Sequence, residues 1–289
     1  MVEQLHTVEQ LHEEKSRFQQ MAKRNQTTIA GHEWNYVTGG EGSEWVLLIH
    51  GGGGNCETMF RYFVNLAADF KIIAPTIPGT IQSMKEIADG LIALFDQEKI
   101  NKAHVFGPSL GGMIAQVLAK EYPERVAKSV FSHTSLPQAD KAATMRKARI
   151  PLKLMPYWLF RRQILGSIKK TLPTDIPDIS QEEADFWLAQ FEDVVKNKLS
   201  KVDVLGSVYV QIDFNGETDL SSSAVRHEAD RVMLIFHEND TGFGKEVQDE
   251  MRAFYPKAEF HRLPKYGHLG ALARADDIID LLKQFFVTK

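Results

Sequence analysis

The sequence has only one cysteine, Cys56, among its 289 residues. A single cysteine excludes an internal disulfide framework and favours a reducing compartment, so we expect a cytoplasmic protein. No apolar run reaches the roughly 18 residues that a membrane-spanning helix needs, so we expect no stable membrane insertion. The formal net charge is only −4. The chain therefore lacks the overall basic character of a nucleic-acid-binding protein, and we expect no nucleic-acid partner.

Sequence motifs for cofactors and metals are absent as well. Gly51 to Gly54 form a run of four glycines, but the Gly-Lys-Ser/Thr of a phosphate-binding loop does not follow them. No GxGxxG with a following acidic residue occurs, and neither HExxH nor paired CxxC spacing is present. We therefore expect no cofactor and no metal.

Short apolar runs alternate with amphipathic segments along most of the chain. Residues 27–38 predict a β-hairpin that turns at Ala30-Gly31. Continuous apolar runs, typical of parallel strands covered on both faces, occupy 45–50, 71–75, 103–107, 127–132, 231–236 and, more weakly, 258–263. Helical patterns occupy 57–68, 81–97, 110–122, 245–255 and 273–286. The alternation predicts an α/β fold with a mostly parallel central sheet flanked by helices.

Two segments depart from this alternation. Residues 1–25 predict an N-terminal helical extension, which either packs on the surface or serves as a dimerisation arm. Its partly buried residues are expected to be Leu5, Leu11, Phe18 and Met21. Residues 136–228 show helical patterns and no buried strand, which predicts a helical cap, or lid, inserted after the sixth strand. The α/β core then comprises 26–135 and 229–289.

The cap has two compatible interpretations. Its aromatic residues form a core of its own, or its apolar face lines a substrate pocket. The second interpretation favours a small hydrophobic acyl substrate. The sequence leaves the oligomeric state open, a homodimer included.

A candidate nucleophile lies between the predicted strand 103–107 and the helix that follows it. The residues are Gly107-Pro108-Ser109-Leu110-Gly111, which match G-x-S-x-G. This pattern is typical of a sharp strand-to-helix turn that raises a serine hydroxyl above the sheet, and the two glycines leave room for the turn. Pro108 fixes one backbone angle of this turn. The strand and helix on either side make the motif far more specific than five residues alone.

A serine hydroxyl needs a base, and the base needs a carboxylate to orient it. His268 follows the last predicted strand in a loop beside Gly267. Asp240 follows the strand 231–236, with Glu238 as the reserve candidate. The order Ser109, Asp240, His268 is the Ser–acid–His order that accompanies this motif. The base must be neutral, so activity is expected to rise with pH through roughly 6 to 7.

Backbone N–H groups are expected to stabilise the oxyanion. The expected pair is the N–H of Leu110 with that of Gly52 or Gly53, because glycines let the backbone approach a substrate closely. Cys56 lies just beyond this loop and is expected to be a small loop residue.

At these residues the chain resembles the α/β-hydrolase superfamily over roughly residues 27–289. Within it, the sequences FGPSLGGMIAQ (106–116) and LMPYWLFRRQILG (154–166) are similar to the maspardins. The resemblance implies an α/β-hydrolase fold. Maspardins have lost or altered the His-Gly strand end and the catalytic histidine, which favours a binding role for them. This sequence keeps His50-Gly51 and His268, which favours an active enzyme.

The expected activity is therefore that of a carboxylesterase-like serine hydrolase, which cleaves an ester, thioester or similar acyl substrate through an acyl-enzyme intermediate. Two alternatives stay open at this point. One is a non-catalytic binding protein of the maspardin kind. The other is a C–C bond hydrolase or an acyltransferase that uses the same three residues.

Overall fold

The computed structural model describes residues 7–228 and 230–287, and within them eight strands form one sheet. The strands are β1 (Lys23–Ile29), β2 (His32–Gly39), β3 (Trp45–Leu48), β4 (Lys71–Thr76), β5 (Ala103–Pro108), β6 (Val126–Ser132), β7 (Val232–His237) and β8 (Glu259–Leu263). Their order across the sheet is β1-β2-β4-β3-β5-β6-β7-β8. The first two pairings, β1 with β2 and β2 with β4, are antiparallel, and all later ones are parallel.

Helices cover the sheet and form one long insertion. The helices are α1 (Val8–Met21), α2 (Phe60–Leu66), α3 (Met84–Gln97), α4 (Leu110–Glu121), α5 (Ala139–Leu154), α6 (Tyr157–Asp175), α7 (Gln181–Asp193), α8 (Lys201–Glu217), α9 (Lys245–Phe254), α10 (Gly270–Ala273) and α11 (Asp276–Val287). Short 3₁₀ turns occupy Cys56–Met59 and Ala224–His227, and a π-helical turn occupies Val194–Lys198.

The predicted α/β-hydrolase architecture with a mostly parallel sheet is confirmed. The apolar strands β5 and β7 are buried along their whole length, as strands covered on both faces must be. One large cluster of buried side chains lies on each side of the sheet. In the described part of the chain, no helix combines the length and the apolar composition needed to cross a membrane.

The N-terminal helix is shorter than the predicted extension. A capping box of Thr7 and Gln10 begins α1, and the helix ends at Met21 because β1 starts two residues later. Leu11 and Phe18 are fully buried in the core cluster. Met21 is 38% exposed, so its predicted burial is wrong. The predicted contact of Leu5 lies outside the described residues.

The helical insertion, α5 to α8, follows the sixth strand, as the sequence predicts. It does not have one core of its own. Its buried side chains divide among three clusters. Leu172, Ile176, Phe186 and Trp187 pack into the main core on one side of the sheet. Val210 and Phe214 of α8 pack into the core on the other side. Phe160, Val194, Leu199 and Val204 form a small separate cluster. The insertion is therefore anchored to the α/β core through α6, α7 and α8.

Candidate active site

Ser109 occupies a strained turn between β5 and α4. Its φ is 56° and its ψ is −121°, a combination that L-residues rarely adopt. A Cβ on Gly107 would lie 2.3 Å from the carbonyl carbon of Gly111, and a Cβ on Gly111 would lie 2.2 Å from the Ile49 oxygen. Side chains at these two positions would force the backbone apart, which explains the glycine spacing around the serine.

Pro108 is tolerated at the end of β5 because the sheet bond there comes from its neighbour. Pro108 is paired with Ser132 in the register of β5 and β6, and it has no N–H to donate. Ser109 donates its N–H to the Ser132 oxygen at 2.9 Å. The strand-to-helix turn at residues 107–111, called the serine elbow below, is thus hydrogen-bonded to the end of β6.

Asp240 and His268 are brought together at the carboxyl ends of β7 and β8. His268 Nδ1 donates to Asp240 Oδ2 at 2.9 Å. The other oxygen, Oδ1, accepts the N–H groups of Gly242 at 2.8 Å and Phe243 at 3.0 Å. The Asp240 side chain is fully buried, whereas that of His268 is 32% exposed. With Nδ1 donating, Nε2 of His268 is the nitrogen available to accept a proton.

Two further histidines lie behind His268 at the ends of β6 and β7. His133 Nε2 accepts the backbone N–H of His237 at 3.1 Å, so its proton is on Nδ1, which lies 2.6 Å from Ser132 Oγ. The His133 ring meets the His268 ring edge-on at 6.0 Å. Burial lowers the pKa of both buried histidines, that of His237 to about 4. They are neutral at physiological pH. Ser132 accepts the N–H of Ser109 and His133 contacts the His268 ring, so these two adjacent residues link Ser109 to His268.

His50 fixes the glycine turn that follows β3. Its Nδ1 donates to the Gly51 oxygen at 2.8 Å, and its Nε2 accepts the N–H of Ile77 at 3.0 Å. Burial lowers the pKa of His50, so the neutral ring acts as one donor and one acceptor. Gly54 donates to the Gly51 oxygen at 3.1 Å and closes the turn.

This turn lies against the serine elbow. A Cβ on Gly51 would be 3.6 Å from Ser109 Cβ, and a Cβ on Gly52 would be 3.8 Å from Leu110 Cδ2. Gly53 has a φ of +70° and nothing within 4 Å of its Cβ position. The two elements predicted to stabilise an oxyanion are therefore adjacent, with Gly52 nearer to Leu110 than Gly53.

A small cavity of about 20 Å³ lies beside the turn, under α8. Its walls are mainly apolar, with one carboxylate, and they include His50, Ile77, Ile81, Leu110, Leu199, Asp203 and Val210. A cavity of this size holds one or two water molecules. The helical insertion thus covers the site next to the elbow.

The other residues considered from the sequence lie away from His268. Glu238 is exposed and accepts the N–H of Lys265. Cys56 is buried beside Thr76, and burial raises the pKa of its thiol. None of the described residues form a group of three or more His, Cys, Asp or Glu side chains suited to a metal.

One contact to the histidine loop was missed from the sequence. Asp175, at the end of α6, is 2% exposed and accepts the N–H of Leu269 at 2.8 Å through Oδ2. This residue belongs to the helical insertion and has no motif around it, so no local signal in the sequence identifies it.

Comparison with known proteins agrees with this geometry. The family model of the alpha/beta hydrolase fold matches residues 44–275, which is more than half of the chain. A 2-hydroxy-6-oxononadienedioate/2-hydroxy-6-oxononatrienedioate hydrolase of Paraburkholderia phymatum is 24% identical over 265 residues, which cover 87% of this chain and 90% of that one. Maspardin of Danio rerio is 24% identical over 232 residues, 78% of this chain and 68% of that one.

Other relatives match over a shorter stretch. The dihydrolipoyllysine-residue acetyltransferase component of the acetoin cleaving system of Pseudomonas putida is 34% identical over 113 residues, which are 36% of this chain and only 30% of that one. Among solved structures, the enol-lactonase of Burkholderia xenovorans LB400 superposes with a TM-score of 0.73 at 16% identity, over 91% of this chain and 100% of that one. By the family match, and with the resemblance to maspardin confirmed, this chain belongs to the alpha/beta-hydrolase family.

Proposed function

We propose that the protein is a serine hydrolase that cleaves a small acyl ester or thioester, with Ser109, His268 and Asp240 as its catalytic residues. The observation that carries the proposal is the Asp240–His268 pair. A fully buried carboxylate accepts three N–H donors, and one of them is Nδ1 of an imidazole that is 32% exposed. That arrangement fixes the tautomer and the orientation of a general base, as a catalytic histidine requires.

The proposed reaction has two steps. His268 Nε2 takes the proton of Ser109 Oγ as Oγ attacks the acyl carbon, and the same proton then passes to the leaving alcohol or thiol as its bond breaks. Water next gives a proton to Nε2 and attacks the acyl carbon; the bond from that carbon to Ser109 Oγ then breaks, Oγ takes the proton from Nε2, and the acid is released. The N–H groups of Leu110 and Gly52 are proposed to stabilise the oxyanion in both steps, with a loss of about 3 kcal/mol per missing donor.

The substrate is proposed to carry a short acyl group. The cavity beside the elbow is small and mostly apolar, and α8 of the helical insertion covers it. We propose the helical insertion as the cap of the active site. We propose a cytoplasmic location, because a chain with a single cysteine forms no internal disulfide and so needs no oxidising compartment.

Hydrolysis of a C–C bond is the second candidate. The near full-length match to the Paraburkholderia phymatum dienedioate hydrolase favours it, and that reaction would use the same three residues. Transfer of the acyl group to an alcohol is distinguished from hydrolysis by adding an alcohol acceptor and measuring both products.

The test is a substrate panel with matched variants. Acetyl, butanoyl and octanoyl p-nitrophenyl esters, an acetyl thioester and a 2-hydroxy-6-oxo-dienoate are measured against the wild-type chain, Asp240→Asn and the control Glu238→Gln. We expect the wild-type chain to turn over the acetyl substrates. Asp240→Asn should lower kcat by about 10³-fold or more, on the order of the loss in a known triad. Glu238→Gln should leave kcat unchanged. Turnover of the dienoate alone would favour the second candidate. No turnover of any substrate would favour a binding protein.

A further inference from the structure

Asp175 holds the chain on both sides of His268. Its backbone oxygen accepts the N–H of Gly267 at 2.8 Å, and its Oδ2 accepts the N–H of Leu269 at 2.8 Å. Gly267 precedes His268 and Leu269 follows it. A residue of the helical insertion therefore grips the loop that carries the proposed base.

The contact with the loop is close. A Cβ on Gly267 would lie only 2.4 Å from Asp175 Oδ1 and 3.0 Å from Asp175 Cα. Glycine at position 267 is thus required by the approach of Asp175. Asp175 is only 2% exposed, so little water contacts its carboxylate.

The ionised form of Asp175 does not stabilise the folded chain. Burial raises the pKa of its carboxyl, and the backbone N–H of Leu269 and the charge of His268 oppose this only in part. An acid with a raised folded-state pKa binds its proton more tightly in the folded chain, so stability falls as pH rises from the ordinary value of 3.8 through the raised one. At neutral pH the ionised carboxylate therefore costs folding free energy.

We propose that Asp175 is a positioning residue for His268, which it holds in place through the loop backbone and whose protonated form it stabilises by charge. This inference rests on the proposed role of His268 as the base. It makes the helical insertion part of the catalytic apparatus, because α6 supplies a second carboxylate to the loop that carries the imidazole.

The charged and titratable groups around the His268 loop come from three elements. Asp240 follows β7, and Asp175 ends α6. His133 follows β6 and His237 ends β7, and burial keeps both of them neutral. The Phe243 ring, which has no charge, lies 5.4 Å away. Of these groups, only the two carboxylates carry a negative charge.

Asp178 provides the matched control. It lies three positions further along the chain and faces the same loop. Its carboxylate accepts a hydrogen bond from Tyr266 Oη at 3.0 Å. It also forms ion pairs with Lys265 and, at 3.4 Å, with Arg274. Although burial opposes it, these partners hold the pKa of Asp178 below its usual value. Such an acid stabilises the fold above its unfolded pKa and loses that contribution as pH falls.

The experiment compares Asp175→Asn, Asp175→Ala and Asp178→Asn with the wild-type chain. The titration of the His268 ring is followed by NMR, and the melting temperature is measured for each variant. Fluorophosphonate labelling of Ser109 is followed as a function of pH. Because the NMR titration needs no turnover, it tests Asp175 even if the wild-type chain proves unreactive, which would count only against the proposed function.

We expect both Asp175 variants to move the His268 titration midpoint to lower pH by about one unit. The acid limb of the labelling profile should move with it and the plateau rate should fall. Asp175→Asn should melt no lower than wild type. Asp178→Asn should melt lower, with an unchanged midpoint. An unchanged midpoint in both Asp175 variants, or equal shifts in Asp175→Asn and Asp178→Asn, would overturn the inference.

Discussion

The serine elbow shows how much a few residues can reveal. A backbone in the conformation of Ser109 costs about 1–3 kcal/mol, and it persists because Gly107 and Gly111 let the strand and helix meet. That requirement is local, so it is visible in the sequence as G-x-S-x-G. The positions of Asp240 and His268 were predictable from chain order. Asp175 was not, because its contact with Leu269 spans 94 positions and depends on how the insertion folds back.

At the same scale, His104 is a buried histidine with an energetic cost. Neither ring nitrogen makes a hydrogen bond within the described chain, and Glu44 Oε1 is 3.8 Å from Nε2. The ring stacks on Phe286 at 4.5 Å. Burial, together with the charges of Lys128 and Lys102, lowers its pKa to about 4.

His104→Phe is therefore expected to stabilise the protein. Removing unsatisfied polar atoms should raise the free energy of unfolding by about 1 kcal/mol at pH 7. As pH falls from about 6.5 toward 4, the unfolded wild-type chain takes up a proton that the buried ring does not, so wild type loses stability. The gain should thus grow to about 3 kcal/mol at pH 5.

Urea unfolding at the two pH values measures this difference. His261→Phe is the control, because the His261 ring is partly exposed and hydrogen-bonds Glu259. An identical pH dependence in wild type and His104→Phe would contradict the assignment.

Among the elements, α1 is held to the core by a buried ion network. Arg61 on α2 is 1% exposed. It donates to Glu14 of α1 at 2.8 Å, to Asp276 of α11 at 2.9 Å and to the Ala273 oxygen at 3.1 Å. The charged sequence of residues 1–25 suggested a surface helix. The buried Glu14 was not predicted, because its partner is 47 positions away.

Glu14→Ala should destabilise the protein by about 3 kcal/mol, because it removes a partner from a buried guanidinium. Glu13→Ala, at an exposed neighbouring position, should change stability by less than about 0.5 kcal/mol. Denaturant unfolding measures both. Equal effects of the two variants would mean that the network does not hold α1.

The insertion is proposed to set the size of the acyl group. Leu199, which is 7% exposed, lines the cavity beside the elbow. Leu199→Ala should enlarge that cavity and raise kcat/KM for butanoyl relative to acetyl esters by about 10-fold or more. Val202→Ala, at a 51% exposed position, should leave the ratio unchanged. A ratio unaffected by Leu199→Ala would place the acyl group elsewhere.

For the whole molecule, the alternation of apolar and amphipathic segments was sufficient to predict the fold. The sequence of a buried parallel strand, such as β5 or β7, is a continuous apolar run, and this does not depend on which strands lie beside it. The packing of the insertion was less predictable. Trp158 is 61% exposed, whereas Trp187 is 3% exposed and lies in the main core. Periodicity shows that a helix has an apolar face but not what covers that face.

The site depends on the whole sheet. Ser109, Asp240 and His268 follow β5, β7 and β8, and the parallel arrangement brings their carboxyl ends to one edge. We propose that Asp240 and His268 activate Ser109 at this edge. The most direct test is the intact mass of the chain after exposure to a fluorophosphonate, with Ser109→Ala as the matched variant. We expect one adduct on the wild-type chain and none on the variant. No adduct on the folded wild-type chain, or an adduct that survives in Ser109→Ala, would contradict this proposal.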